Sequence, residues 1–304
     1  MRKHLRPCIA LLLSLTLLVA LPLATAAEPD DPYSPENIAA EASSGLLGTV
    51  TSRNPASYPT VTVKLGRARL AMQGLYILGV PYLPLYELLD AFTETRMTET
   101  SSGYTFTANG LVARTTDGSY YLEANGRYFY MQVPIVEMND GVLYVPMKTA
   151  VKTVGISASY DTASRTVTLS GSYKAPASGS AVYNADAVYW LSRIISAESR
   201  GEPLLGQIAV GNVILNRVRS PHFPNTIWGV IFDKQYGVQF APTANGTIYN
   251  APAESSVIAA KICLEGYSVN GDILYFYEPT HSTSSWIENN RPFVFTIKNH
   301  RFFK

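Results

Sequence analysis

The chain has 304 residues, room for two ordinary domains rather than one. Hydrophobic residues make up 47% of it and tyrosine alone contributes 20, which excludes an intrinsically disordered polymer. A formal net charge of +1 provides no basic excess, so nucleic acid is not expected as a partner.

The first residues carry a basic start (Arg2, Lys3, Arg6), an apolar run from Ile9 to Leu21, and the small-x-small triplet Ala24-Thr25-Ala26. This is the layout of a secretory signal peptide, expected over residues 1–26. The apolar run is shorter than the roughly 20 residues a spanning helix needs, so no stable membrane span is expected after cleavage. A secreted, extracellular protein follows. Cleavage removes three basic residues and no acidic one, taking the formal charge from +1 to −2. It also removes Cys8 and leaves Cys263 alone, so no internal disulfide is expected and packing must hold the fold. Residues 27–59 are polar and punctuated by Pro29, Pro32, Pro35, Pro55 and Pro59, and read as a spacer.

From 60 to 171 the pattern alternates. Val61, Val63 and Leu65 interleave with Thr62 and Lys64; Tyr104 and Phe106 with Thr105 and Thr107; Val167 and Leu169 with Thr166 and Thr168. That is the period of half-buried strands. Asn109-Gly110, Asp117-Gly118, Asn125-Gly126 and Asp140-Gly141 supply the turns. A weak repeat is present: Pro81-Tyr82-Leu83-Pro84-Leu85 precedes a short helical stretch, Tyr86 to Phe92, and Leu143-Tyr144-Val145-Pro146-Met147 precedes another, Lys148 to Val154. This arrangement resembles the copper amine oxidase N-terminal-like domain, a small stalk module of bacterial surface proteins. The name implies no copper here, because residues 60–171 contain no His and no Cys. A second linker, 172–185, contains Ala175-Pro176-Ala177-Ser178-Gly179-Ser180.

The texture then becomes helical, through 186–304. Asp186 to Arg200 reads as a helix whose apolar stripe is Leu191, Ile194 and Ile195. Glu198 falls on that stripe, at i+7, i+4 and i+3. Gly201 ends the helix and Pro203 opens the next. A carboxyl held against apolar neighbours resists ionisation, and a protonated carboxyl near neutral pH is the general acid of glycoside cleavage. The same placement also reads as a helix-end glutamate reaching water, Arg193 or Arg200.

The run Tyr189-Trp190-Leu191-Ser192-Arg193-Ile194-Ile195-Ser196-Ala197-Glu198-Ser199-Arg200-Gly201-Glu202-Pro203 resembles the opening of the SleB-type cell wall hydrolase family. Gly206-Gln207-Ile208-Ala209-Val210-Gly211-Asn212-Val213-Ile214-Leu215-Asn216-Arg217-Val218 continues the likeness, as do Gly237-Val238-Gln239-Phe240, Tyr275-Phe276-Tyr277 and Asn299-His300-Arg301-Phe302. The resemblance implies an α+β protein in which a small β-rich stalk domain precedes a mainly helical, lysozyme-like catalytic domain. It implies a peptidoglycan glycosidase that cleaves between N-acetylmuramic acid and N-acetylglucosamine, with Glu198 as the acid/base. Ser199 stands where the family more often has alanine, and Ala241 where a small hydroxyl residue often follows Gln-Phe.

Only one well-placed carboxylate is legible, which suits a lytic transglycosylase better than a two-carboxylate hydrolase. Glu202 reads equally as a cap of the second helix. Asn216 and Arg217 read as buttresses of the Glu198 helix. Saccharide binding calls for ring faces and fixed polar groups. Gln239, Phe240, Tyr249, Tyr275, Tyr277 and Trp286 are the candidates, with His300 a cleft hydrogen-bonder or a structural histidine. Each of the others reads equally as a core or solvated group. No metal and no cofactor are required. An N-acetylmuramoyl-L-alanine amidase and a non-catalytic wall-binding protein remain the alternatives. The first would need about three zinc ligands, and His222, His281 and His300 lack the usual spacing.

Overall fold

In a computed structural model, residues 50–235, 237–280 and 286–304 are described. The expected signal peptide and most of the spacer lie outside the described residues. Among the described residues, no helix is long and apolar enough to cross a membrane.

The first domain is built on β1 (Thr60–Leu65), β2 (Ala68–Ile77), β3 (Val80–Pro84), α1 (Leu85–Asp90), β4 (Arg96–Thr100), β5 (Gly103–Ala108), β6 (Leu111–Thr115), β7 (Tyr121–Ala124), β8 (Arg127–Tyr130), β9 (Val136–Glu137), β10 (Leu143–Pro146), α2 (Met147–Val154), β11 (Ser157–Asp161) and β12 (Thr166–Ser170). Strands β4 to β8 form a five-stranded meander. A seven-stranded sheet runs β11-β12-β1-β2-β3-β10-β9. Its first and last chain segments meet as a parallel pair, Val63 opposite Val167 and Leu65 opposite Leu169. The inward residues of these alternating runs are fully excluded from water: Val61, Val63, Phe106, Val167 and Leu169 are each 0% exposed. Each such aliphatic side chain contributes on the order of 1.5–3 kcal/mol by leaving water. The sequence repeat is also a spatial one. Its two strand–helix units lie side by side, because β3 and β10 pair antiparallel with Val145 opposite Leu83. The Asn125-Gly126 turn joins β7 to β8 with φ of 52° and 78°, the left-handed pair that a two-residue hairpin requires.

The second part of the chain contains α3 (Gly179–Val182), α4 (Ala185–Ser199), α5 (Leu204–Arg219), α6 (Ile227–Ile231), α7 (Ala241–Asn245), α8 (Glu254–Leu264), β13 (Tyr275–Tyr277), α9 (Trp286–Asn290), β14 (Phe293–Ile297) and β15 (His300–Phe303). The whole is α+β. Helices α4 and α8 pack on α5, and a three-stranded sheet, β13-β15-β14, stands beside them. That sheet departs from the expected mainly helical texture. Its signal is the alternation Phe293, Phe295, Ile297, too short to separate from a helical segment without the partner strands.

Helix α4 begins at Asn184, whose side chain accepts a hydrogen bond from the Ala187 amide at 3.0 Å. Helix α5 is buried from Leu205 to Arg217, so its polar side chains need internal partners. Asn212 donates to the Tyr267 carbonyl (3.0 Å) and accepts from the Val269 amide (2.7 Å). Asn216 donates to the Asn270 and Ile273 carbonyls, both at 3.0 Å, and Arg217 Nε to the Leu274 carbonyl at 2.7 Å. These groups therefore brace the segment leading into β13, not the Glu198 helix.

The two domains are joined by a built interface. Arg127 on β8 makes a bidentate pair with Glu265, at 2.7 and 2.6 Å, and the Tyr183 hydroxyl donates to the same carboxylate at 2.7 Å. Tyr130 lies on Tyr267 with ring centroids 4.5 Å apart, and Tyr121 and Tyr128 pack on the helical core. Segment 172–185, expected as a linker, is pinned as well. The Gly179 amide donates to the Asn125 carbonyl at 2.7 Å, and a Cβ at Gly179 would stand 2.4 Å from the Gly126 carbonyl oxygen. Substituting Glu265 with alanine strands the Arg127 guanidinium, whose side chain is 23% exposed and so partly rehydrates. The expected cost is about 2 kcal/mol. In calorimetry, the single transition expected of the parent should split into two.

Candidate active site

Glu198 lies in the last turn of α4. Below it on the same face, Leu191, Ile194 and Ile195 are each 0% exposed, while Glu198 itself is half-buried. Desolvation raises its carboxyl from an ordinary 4.5 to about 7. The negative end of the helix dipole acts in the same direction. Among the described residues, no charged neighbour opposes the shift and Glu198 has no ion pair. Arg193 is stacked 3.6 Å over the Tyr189 ring on another face of the helix, and Arg200 is exposed at the C-cap.

The corner after α4 is clamped by the tip of the β14–β15 hairpin. Lys298, at φ 46°, sends its ammonium to the Gly201 carbonyl at 2.6 Å. Asn299 donates through its side chain (2.9 Å) and its amide (3.3 Å) to the Glu202 carboxylate. Glu202 is 7% exposed and makes no cap bond to α5. It is a clamp residue that fixes where α4 ends.

The structure separates the other candidates by exposure. Tyr249 (61%) and Trp286 (52%) present open rings. Gln239, Tyr275 and Tyr277 are half-buried; Gln239 donates to the Gly237 carbonyl at 3.3 Å, within its own loop. Two expectations are corrected. Phe240 is 4% exposed and packs into the helical core, so it has no ring face for a sugar. His300 is 4% exposed, edge-on to Phe276, with Nδ1 3.8 Å from Glu202, too far for a hydrogen bond. Burial holds its pKa below the ordinary 6.5, against the opposing pull of Glu202 and Glu278. It is a structural histidine behind the clamp.

Sequence reasoning missed an aromatic strip. Trp228, 56% exposed, stacks on Phe232; Phe232 meets Trp190 on α4 edge-on, and Trp190 meets Tyr249. Trp190 lies in the quoted motif, but only the fold brings α6 and the Tyr249 turn to it. Among the described residues, no group of three His, Cys, Asp or Glu side chains converges at metal-binding spacing. Among the described residues of the first domain there is therefore no set that fits a copper ion. An open pocket of about 610 Å³, lined by Tyr86, Glu94, Arg96 and Met97 among others, lies on the first domain, away from Glu198.

A helical core that ends in a desolvated carboxyl, without an ion pair among the described residues, is equipment for acid/base chemistry. Residues 201–303 match the family model described as Cell Wall Hydrolase, and residues 69–169 match the Copper amine oxidase N-terminal domain. The chain thus carries a cell wall hydrolase domain behind a domain of the copper amine oxidase N-terminal type, and the former is homologous to spore cortex-lytic enzymes. The first match begins at Gly201, directly after the helix that bears Glu198. The spore cortex-lytic enzyme of Bacillus cereus is 41% identical over 122 residues, covering 40% of this chain and 46% of that protein. That of Bacillus subtilis is 39% identical over 112 residues, covering 37% and 35%. The solved catalytic domain of the germination-specific lytic transglycosylase SleB from Bacillus anthracis is 41% identical, covering 40% of this chain and 97% of that one, with a TM-score of 0.37. The chain spans less than half the length of the curated relatives it matches.

Proposed function

We propose that the protein is exported and cleaves the glycan backbone of peptidoglycan as a lytic transglycosylase, with Glu198 as its single acid/base. The observation that carries this reading is the Glu198 carboxyl, raised to about 7 by desolvation alone and without a counter-ion among the described residues. About half of such groups are protonated at pH 7, so one population holds the proton a leaving oxygen needs.

In the first step the protonated Glu198 gives its proton to the glycosidic oxygen as the bond to the muramyl anomeric carbon breaks. The carboxylate so formed faces the developing positive charge on that carbon. In the second step it takes the proton of the muramyl 6-hydroxyl as that oxygen bonds to the anomeric carbon. The enzyme returns to its starting state, no water is consumed, and the nucleophile is already tethered to the electrophile. No second enzyme carboxylate is needed, which agrees with Glu202 being occupied by Asn299. The open rings of Tyr249 and Trp228 supply stacking faces for sugar units along the strand.

Mass spectrometry of muropeptides released from purified sacculi tests the mechanism. The expected products end in an anhydro-muramyl group, one water lighter than a reducing end. Reducing ends would assign hydrolysis instead, free stem peptides would assign an amidase, and no soluble product would assign a wall-binding protein.

A further inference from the structure

One ladder of side chains plays no part in the chemistry above. Trp286, 52% exposed, lies 5.4 Å from the Arg291 guanidinium. Arg291 lies 4.6 Å from the centre of the Tyr275 ring, and Arg217 lies 5.2 Å from the same ring. Phe223 and Phe240 close the inner end, 4.9 and 5.3 Å from Arg217. Two cations thus share one tyrosine ring between aromatic walls.

Among the described residues, Arg53, Arg114, Arg127 and Arg301 pair with carboxylates, whereas neither cation of the stack, Arg217 or Arg291, makes an ion pair with one. Each also holds a buried donor with no acceptor: Nη1 of Arg217, a residue only 5% exposed, and Nε of Arg291. Asp233 is within electrostatic reach of Arg217, but its carboxylate accepts from the Gln235 amide at 2.9 Å. Buried charged donors are almost always satisfied. Two in one stack are an unmet demand for an anion. Phe240 ties the stack to the candidate site, since it opens α7, which packs on the Glu198 helix.

We propose that Arg291, half-buried against the Tyr275 ring with Arg217 closed off behind it, is an anion subsite that takes a carboxylate of the substrate's stem peptide. This rests on the wall-polymer reading above. The sugars of that polymer are uncharged, and its anionic groups are the carboxylates of its peptides. A planar guanidinium fixed by ring stacking presents paired donors that match a carboxylate, which an ammonium cannot do. The subsite would choose strands that carry peptides and set their register against Glu198.

Cosedimentation of the full-length Glu198→Gln protein with sacculi needs no turnover, so it reads this proposal separately from the reaction. Three forms of the polymer are compared: intact, carboxyl groups converted to amides, and peptides removed by an amidase. Intact sacculi should bind about tenfold more tightly than either other form, as expected for charge-assisted pairing. Adding Arg291→Met should abolish the difference, and Arg291→Lys, which keeps the charge without the planar fork, should retain part of it. Equal binding of the amidated form, or an undiminished difference in Arg291→Met, would overturn the subsite alone. Undiminished binding of the stripped form would move the ligand to the lactyl carboxylate and overturn the stem-peptide assignment. No binding to any form would overturn the wall-polymer reading with it.

Discussion

Replacing Glu198 with glutamine is expected to lower the rate of glycan cleavage by roughly a hundred- to ten-thousand-fold, while making the protein more stable above neutral pH. Both effects arise from one proton. Glutamine keeps the size and polarity of the side chain but has no proton to transfer, so the leaving oxygen would depart as an alkoxide. Stability moves the other way because the parent carboxyl ionises less readily folded than unfolded. Its value rises from 4.5 unfolded to about 7 folded, so the folded state binds more protons between those limits. Stability from this group is therefore fully present below pH 4.5, is lost as pH rises to about 7, and is level above that. At about 1.4 kcal/mol per tenfold change in ionisation the loss reaches roughly 3 kcal/mol, less whatever residual solvent contact returns. Glutamine escapes this loss. Urea denaturation of both proteins at pH 5 and pH 8 measures it: the advantage of the variant should grow with pH. Parent activity should hold through that window and fall as pH rises past about 7, where the folded carboxyl itself loses its proton.

The second large effect is expected from Asn216→Ala. Its side-chain amide is the internal donor to the Asn270 and Ile273 carbonyls, and removal leaves both without it in a dry interior. Two such losses amount to about 3 kcal/mol. That is a substantial part of the stability of a typical domain. The braced segment leads into β13 and Tyr275, so activity should fall at temperatures where the fold still holds. Denaturation midpoints and steady-state rates on the same preparation check this. An unchanged midpoint would mean that the segment is held by its other anchors, Asn212 and Arg217.

What the sequence disclosed was mostly local. The alternation of Val61 and Val63, and the stripe of Leu191, Ile194 and Ile195 with Glu198 on it, follow from strand and helix periods that need no knowledge of partners. The Asn125-Gly126 turn follows from backbone sterics alone. What stayed hidden depends on distant pairings. Phe240 and His300 had the residue types of a cleft, yet the β14–β15 hairpin and the helical core close over them. The linker composition at 172–185 signals a low tendency to order by itself. It says nothing of the Asn125 carbonyl that receives the Gly179 amide. The sheet β13-β15-β14 was read over because strands of three to five residues carry too few alternations to identify. Arg291 gave no local sign at all, since its partners Tyr275 and Trp286 are brought to it by a turn of the chain.

The most direct measurement is a carboxyl-carbon NMR titration of Glu198, assigned by subtraction against Glu198→Gln. The expected result is a midpoint near 7, with the group still half protonated at neutral pH. A midpoint in the ordinary carboxylate range, at or below the 4.5 of a solvated glutamate, would mean that the side chain is ionised when the wall strand arrives. It would then have no proton to give.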